Sequence, residues 1–223
     1  MSIVKLEKIC KNYTLGKTTL NALKNIDLNV EQGEFIALAG PSGSGKTTAL
    51  NIIGCIDKPS SGKVFIDECE ISYLSSDGLA DIRAGKIGFI FQNFNLLPVL
   101  NALENVEYPL LHKKMAFHKK RKLAQEALES VGLGKYARHR PMELSGGQQQ
   151  RVAIARALST SPLMILADEP TANLDHVTGT EILTLMKKMN LERKTTFIFS
   201  THDQKVMEIA DKVVRLWDGE ISS

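Results

Sequence analysis

The residues best suited to chemistry form the stretch GPSGSGKTT at positions 40–48. It follows a short apolar run, FIALA at 35–39, and opens the helical pattern TTALNIIG. Glycines permit a loop whose backbone N–H groups turn inward around phosphates, Lys46 can reach the outer phosphates, and Thr47 offers a hydroxyl to Mg²⁺. A flexible glycine turn is the alternative, but the strand–loop–helix context favours phosphate binding. The candidate phosphate-binding residues are Gly40, Pro41, Ser42, Gly43, Ser44, Gly45, Lys46, Thr47 and Thr48.

Two acidic residues follow a second apolar run, LMILA at 163–167. The carboxyl ends of parallel strands are where α/β sheets bind their ligands. Asp168 is therefore predicted to hold Mg²⁺, through water, because that ion keeps part of its hydration shell. Glu169 is then free to accept a proton from an attacking water. Acidic pairs at strand ends are often solvated turns, and it is the phosphate loop that favours the catalytic interpretation.

Two more polar residues follow apolar strands. Gln92 comes after IGFIF and is a candidate contact for Mg²⁺ or the water, and His202 comes after FIFST and is a candidate donor to a γ-phosphate. Alone, each would be an ordinary polar residue at a strand end. The other histidines have no such context and are interpreted as structural: His112, His118, His139 and His176.

The stretch LSGGQQQRVAIARAL at 144–158 predicts a further helix. Ser145 and Gln148 have the spacing of a capping box. The free N–H groups and the positive dipole end of such a helix form an anion site, and the two glycines allow a phosphate to come close. Taken alone, the stretch is better interpreted as a local cap with a glycine hinge.

The elements that must position these residues predict an α/β core. In the N-terminal third, apolar and polar residues alternate as in strands with one solvent-exposed face; the segments are IVKLEKI, IDLNVE and KVFID. FIALA, LMILA and TTFIFS (195–200) are continuous apolar runs typical of buried parallel strands. Helical patterns separate them, for example EILTLMKKM, with Ile182, Leu185, Met186 and Met189 along one face. Strand signals stop between about Gln92 and Pro141, where HKKRKLAQEALESVGLG predicts a helix that ends at Gly132 or Gly134.

Composition and charge restrict the classes of protein to which the chain can belong. The 223 residues are 43% hydrophobic and 24% charged, with a net charge of +3, so bulk electrostatics does not indicate a polyanion-binding protein. No apolar run reaches the roughly 18 residues of a membrane span, and the N-terminus lacks the apolar core of a signal peptide. We therefore expect any membrane function to be served from the cytoplasmic side, with a separate partner. Cys10, Cys55 and Cys69 are isolated and predict small hydrophobic residues in a reducing compartment.

Six motifs in order make the sequence resemble the nucleotide-binding subunits of ABC transporters over essentially its whole length. They are GPSGSGKT, FQNFNLL, LSGGQQQR, LADEP, NLD and STHD. Within that superfamily, GPSGSGKTTALNIIG, IGFIFQNFNLLP and ALENVEYPLL look like the macrolide-exporter and lipoprotein-release ATPases. Departures are minor: Thr47 stands where serine is commoner, and Asn173 stands where glycine or serine often precedes LD.

The resemblance implies the fold and the roles that the residues alone leave open. It implies a P-loop NTPase of the ABC type, with residues 1–91 and 145–223 forming an antiparallel β subdomain plus a RecA-like α/β core, and residues 92–144 a helical subdomain. It also implies that Tyr13 stacks on adenine, although a half-exposed strand tyrosine is the plain alternative. Ser145, Gly146 and Gly147 would face the γ-phosphate held by a second subunit, with Asp175 at the same interface.

The activity implied is ATP hydrolysis with Mg²⁺ by a homodimer that forms around two ATP and drives a separate integral membrane permease. The protein would lie at the cytoplasmic face of the membrane, with Gln92, Phe94 and NLLP at the permease contact.

The rivals within the superfamily differ in architecture. Repair and chromosome ATPases carry long coiled coils, absent from the 51 residues between Gln92 and Leu144, and translation factors carry two cassettes. A soluble assembly ATPase, for example of iron–sulfur cluster building, stays open. The basic run HKKMAFHKKRK is interpreted as a solvated helix face, and no nucleic-acid partner is expected.

Overall fold

The computed structural model describes residues 1–16 and 18–222. Within them the chain forms ten strands, seven α-helices and three short 3₁₀ turns. The strands are β1 (Ser2–Leu15), β2 (Thr18–Glu31), β3 (Phe35–Ala39), β4 (Ser61–Ile66), β5 (Cys69–Glu70), β6 (Ile87–Ile90), β7 (Met164–Asp168), β8 (Thr196–Thr201), β9 (Lys212–Trp217) and β10 (Glu220–Ser222). The helices are α1 (Lys46–Ile53), α2 (Ser76–Lys86), α3 (Ala102–Glu107), α4 (Phe117–Ser130), α5 (Gly146–Ser159), α6 (His176–Arg193) and α7 (Gln204–Ile209).

The strands form two sheets of different character. The first has the order β2-β1-β4-β5 and is antiparallel, as the alternating N-terminal patterns predict. The second has the order β10-β9-β3-β8-β7-β6 and is parallel except for the hairpin partner β10. The predicted α/β class with an N-terminal antiparallel β part is confirmed.

Alternation along β3 divides the hydrophobic core into two layers. Phe35 and Ala37 face a cluster formed with α3, α4, α5 and α6, whereas Ile36 and Leu38 face α1 and the antiparallel sheet. Successive side chains of a strand point to opposite faces, so a strand buried on both faces reads as an unbroken apolar run. FIALA therefore shows no alternation of apolar and polar residues, although its successive side chains pack into two different layers of the core.

Parallel pairing places the ends of three strands at one edge of the larger sheet. Ala39 of β3 pairs with Thr201 of β8, and Asp168 of β7 pairs with Ser200 of β8. The residues that follow these strands are therefore brought to the same edge. They include the phosphate loop, Glu169 and His202.

Between β6 and β7 the described chain is helical. Helix α4 ends at Ser130, and Gly132 follows in the left-handed conformation (φ +80°). Leu133 N–H donates to Leu128 O and Gly132 N–H donates to Glu129 O, which is the Schellman pattern with glycine at its customary position. The predicted end of this helix at Gly132 is thus confirmed, and the alternative end at Gly134 is not adopted. No helix in the described ranges is long and apolar enough to cross a membrane.

Candidate active site

The phosphate loop joins β3 to α1. Gly45 precedes the first helical residue with φ +102° and provides no side-chain cap, so the first turn of α1 keeps free N–H groups. A Cβ at Gly45 would lie 2.6 Å from the carbonyl oxygen of Ala22, which explains the need for glycine. Within residues 1–16 and 18–222, the N–H groups of Gly43 and Gly45 donate to no backbone carbonyl. The loop therefore presents unpaired donors, as an anion site requires.

Lys46 is buried, at 6% exposure, beneath this loop. Its Nζ donates to the carbonyl oxygens of Gly40 (2.7 Å) and Pro41 (2.8 Å). Gly40 and Pro41 thus hold the lysine and, together with the buried Ser44, lie outside the cavity wall. The predicted loop residues that line the cavity are Ser42, Gly43, Gly45, Lys46, Thr47 and Thr48.

The acidic pair faces the loop across the cavity. Thr47 Oγ1 donates to Asp168 Oδ1 at 3.3 Å, which brings together the two groups predicted to share Mg²⁺. Glu169 has a left-handed backbone (φ +46°), and its N–H donates to Ser200 O at 2.9 Å. A non-glycine residue in this conformation is uncommon and stores strain that a functional site often contains.

The Glu169 carboxylate contacts His202. Oε1 lies 2.7 Å from Nδ1 of His202, and both side chains line the cavity. If Nδ1–H donates to this carboxylate, only Nε2 is left for a phosphate oxygen, and Nε2 donates a hydrogen only in the imidazolium form. The structure therefore ties the two predicted residues to each other, a contact that the sequence did not predict.

Gln92 also lines the cavity, and the side chains of Asn173 and Arg156 hold the backbone of the segment 92–95 that begins with it. Asn173 Nδ2 donates to Gln92 O at 3.0 Å and to the side chain of the following asparagine at 2.8 Å. Arg156 of α5 donates to Phe94 O (2.7 Å) and to Asn95 O. Burial lowers the pKa of Arg156 to about 10. Asn173, a departure from the family pattern, thus makes a specific contact here.

Tyr13 lines the cavity together with residues that the sequence did not single out. These are Leu20, Asn21, Ala22 and Lys24 of β2, and Asp218 and Gly219 between β9 and β10. The last two have φ of +46° and +79° and form a two-residue hairpin, for which Asp-Gly is a strong signal. Gly219 N–H donates to Ser44 O at 3.1 Å, so this hairpin packs on the phosphate loop. The β2 residues carry no comparable signal.

The cavity has a volume of about 750 Å³, within the range of small-molecule sites. A family model described as ABC transporter matches residues 23–172, which is more than half of the chain. The chain belongs to the ABC transporter family. It is an ABC-type ATP hydrolase with an ATP-binding domain of this family.

The relatives of this ABC protein include chains of similar length and much longer ones. It is 50% identical to the uncharacterized ABC transporter ATP-binding protein MJ0796 of Methanocaldococcus jannaschii, over 98% of this chain and 95% of the relative. It is 46% identical to the macrolide export ATP-binding/permease protein MacB of Syntrophobacter fumaroxidans, over 99% of this chain but 31% of the relative. The expected likeness to the macrolide-exporter group is confirmed.

Two solved structures of MJ0796 resemble the fold of this ABC protein closely. A dimeric structure, described as a bacterial ABC transporter cassette, has a TM-score of 0.91 at 49% identity and covers 99% of this chain and 97% of that one. A dimer in a post-hydrolysis state, bound to ADP and Pi, has a TM-score of 0.90 with the same identity and coverage.

In this ABC protein the LSGG segment lies apart from the cavity. The predicted capping box is present: Ser145 Oγ accepts from Gln148 N–H, and Ser145 N–H donates to Gln148 Oε1 at 2.9 Å. Ser145, Gly146, Gly147 and Asp175 do not line the cavity. Asp175 caps α6, and its hydrogen bonds, first of all from the Thr178 side chain, lower the pKa of its carboxyl group. The start of α5 instead packs beside the 173–178 segment that contains Asp175.

Proposed function

We propose that two copies of this protein dimerise around two Mg·ATP and that ATP hydrolysis drives a separate integral membrane permease. Each site would combine the phosphate loop of one copy with the α5 start of the other. In support, Gly146 and Gly147 carry the free N–H groups of an anion site, next to the cap residue Ser145, and all three lie outside their own chain's cavity. A second copy gives this helix start a phosphate to bind. MJ0796, a close relative, has been solved as a dimer.

Within each site, Glu169 is the proposed general base. Glu169 lines the cavity, and its carboxylate lies 2.7 Å from Nδ1 of His202. The hydrogen bond from Glu169 N–H to Ser200 O fixes the backbone from which this side chain extends. The carboxylate accepts a proton from the attacking water, while Gln92 orients that water from the adjacent wall. Lys46 exchanges its contacts with the loop carbonyls for the outer phosphates. Tyr13, at the cavity wall, stacks on adenine.

The donors near Thr47 suit a magnesium ion. The Thr47 hydroxyl lies 3.3 Å from a carboxylate oxygen of Asp168, and Gln92, which carries an amide oxygen, lines the same cavity. These are the hard oxygen ligands that Mg²⁺ prefers. When bound, the ion neutralises charge that develops on the phosphates. Thr47, Asp168 and Gln92 are therefore the proposed magnesium residues.

One observation carries the proposed coupling to a permease: the same short segment lines two cavities. Gln92 faces the nucleotide cavity, whereas Phe91 and Asn95 line a groove of about 360 Å³. Tyr108 and Arg156 line the groove as well, so it offers aromatic and basic groups to a docking segment. A partner that moves in this groove shifts the segment from which Gln92 projects. In the MacB relative, as its name states, ATP binding and permease are joined in one protein.

We place the protein at the cytoplasmic face of the membrane as a peripheral subunit. The likeness to MacB and to the lipoprotein-release ATPases points to export, or to release driven by conformational force. Residues 1–91 and 145–223 would act as the nucleotide-binding core, and residues 92–144 as the helical subdomain that contacts the permease.

The test is co-purification from detergent-solubilised membranes of cells that express the tagged protein. We expect a multi-span membrane protein to be retained by the parent and lost by Tyr108→Glu, which places a charge in the groove. Met142→Glu is the matched control, because Met142 is 91% exposed and lies outside the groove. Both variants should keep the parental ATPase rate. Retention of soluble partners alone would favour the assembly-machine alternative.

A further inference from the structure

A charged pair encloses Tyr13 at the wall of the nucleotide cavity. Tyr13 O–H donates to Asp57 Oδ2 at 2.8 Å. Lys11 Nζ donates to Asp57 Oδ1 at 2.6 Å and lies 4.9 Å from the centre of the Tyr13 ring. Neither Lys11 nor Asp57 lines the cavity. Neither side chain therefore contacts a ligand in the cavity directly, whereas both contact Tyr13, which does line it.

The contacts fix both the edge and one face of the ring. The Asp57 hydrogen bond holds the hydroxyl end, and the Lys11 ammonium occupies one face at a distance typical of a cation–π contact. A tyrosine has only two side-chain torsions, so these two contacts leave it little freedom. One face of the ring is left for a flat ligand.

The three side chains form a closed network that is tied to the backbone. Asp57 Oδ1 also accepts from Lys58 N–H at 2.7 Å, and Lys11 Nζ also donates to Lys58 O at 2.8 Å. Lys11 and Tyr13 are two residues apart on β1 and so point to the same side of the strand. Asp57 follows the end of α1, the helix that begins at the phosphate loop. The network therefore links the Tyr13 ring to the element that carries the phosphate site.

The ionisation of the network is consistent with this geometry. Burial and the Asp57 hydrogen bond raise the pKa of the Tyr13 phenol, so it stays protonated and can donate. Burial alone would raise the pKa of Asp57, but hydrogen bonds from Lys11, Tyr13 and Lys58 outweigh it and lower that pKa. The carboxylate is thus charged, and the acceptor is permanent at neutral pH.

We infer that Lys11 and Asp57 are positioning residues that hold the Tyr13 ring ready to stack on the base of the nucleotide. This inference rests on the proposed stacking of adenine on Tyr13. A ring without the network must be ordered when the nucleotide binds, and immobilising one side chain weakens binding by about twofold to tenfold. The loss concerns the base alone, because the phosphate loop keeps its own contacts.

The experiment compares two ligands by titration calorimetry at a fixed Mg²⁺ concentration: ADP, which has a base, and pyrophosphate, which has none. Tyr13→Phe removes only the hydroxyl, and Asp57→Ala removes the acceptor for both partners. We expect each variant to bind ADP about twofold to tenfold more weakly and pyrophosphate as tightly as the parent does. The double variant should bind ADP no more weakly than Asp57→Ala does, because both changes break the same hydrogen bond between Tyr13 and Asp57.

Two further variants make the outcomes distinct. Asp67→Ala is the matched control, because it removes an ion pair of the same 2.6 Å length, to Lys86, away from the cavity. Its ADP affinity should equal the parental value. Tyr13→Ala tests the stacking itself and should weaken ADP more than Tyr13→Phe does.

Each contrary result has a separate meaning. If Tyr13→Ala weakens ADP binding but Tyr13→Phe and Asp57→Ala do not, stacking stands and the positioning role is refuted. If Tyr13→Ala also binds ADP normally, the proposed stacking is wrong, and the positioning role is wrong with it. Equal losses for ADP and pyrophosphate in Asp57→Ala would show that the network acts on the phosphate loop and would overturn the inference.

Discussion

Two inactive variants, Lys46→Ala and Gly146→Asp, are expected to restore ATP hydrolysis when they are mixed. Each lesion disables one half of the proposed composite site. Lys46→Ala removes a buried ammonium that the loop carbonyls of Gly40 and Pro41 hold at 2.7 and 2.8 Å. Gly146→Asp places a carboxylate at the α5 start, where the helix dipole and the free N–H groups favour a phosphate.

The fold itself selects Gly146 rather than its neighbour for this change. A Cβ at Gly146 would lie 3.4 Å from Leu174 Cδ2 and 3.9 Å from Phe94 Cζ, which are ordinary van der Waals contacts. A Cβ at Gly147 would instead overlap the Thr178 methyl group. Gly146→Asp should therefore fold, so that lost activity reports on the site and not on stability.

The size of the recovery follows from counting sites. In a mixed dimer, both lesions fall in one site, and the other site combines an intact Lys46 with an intact Gly146. Random exchange of equal amounts makes half of the dimers mixed, each with one good site of two. The mixture should reach about a quarter of the parental rate when sites turn over independently under two-fold symmetry. A covalently linked tandem of the two variants should reach about half.

The assay is phosphate release, measured for each variant alone and for the exchanged mixture. The matched control mixes Lys46→Ala with Glu169→Gln. Both residues line the same cavity of one chain, so every site in that mixture carries a lesion and no activity should return. Absence of recovery from Lys46→Ala with Gly146→Asp, once mixed dimers are shown to form, would refute the shared site.

Three further predictions test other parts of the site. Glu169→Gln keeps the shape of the side chain but loses the proton acceptor, so the hydrolysis rate should fall by about 10²–10⁴ while ATP still binds. Size-exclusion chromatography should then show a dimer stabilised by ATP. A parental hydrolysis rate would exclude the role of Glu169 as general base. Asn173→Asp removes the amide that donates to Gln92 O and places a carboxylate beside that carbonyl, so kcat should fall by roughly threefold to tenfold while ADP affinity is unchanged. An unchanged kcat would show that Asn173 does not position Gln92 for catalysis. Burial raises the pKa of the Cys55 thiol to about 11, whereas Cys69 is exposed, so Ellman's reagent should modify Cys69 quickly and Cys55 only after unfolding.

The last of these predictions also corrects one interpretation of the sequence. All three cysteines were expected to behave as small hydrophobic residues. Cys55 does so, Cys10 is partly buried, and Cys69 lies exposed in a short edge strand. A single cysteine carries no periodicity of its own, so its burial depends on which face of which element it occupies.

The sequence by itself determined the features that depend on neighbours along the chain. The phosphate loop, the capping box at Ser145, the buried strands and the glycine-terminated α4 are all present where their patterns predict them. Each depends on hydrogen bonds or side-chain spacing within a few residues, which a short motif specifies completely. The family resemblance added the expected roles, but it could not state which side chains touch.

Only the tertiary structure decided how distant segments meet. Asp57 reaches Tyr13 across 44 residues, and Asn173 reaches Gln92 across 81. Ala22 and Gly219 close the cavity against the phosphate loop from opposite ends of the chain. Such contacts depend on strand order, on register and on the stacking of two sheets around α1, and no local pattern encodes these. The residues proposed to perform the chemistry could therefore be predicted from the sequence. The residues that hold them in place could be identified only from the packing of the two sheets and the helices.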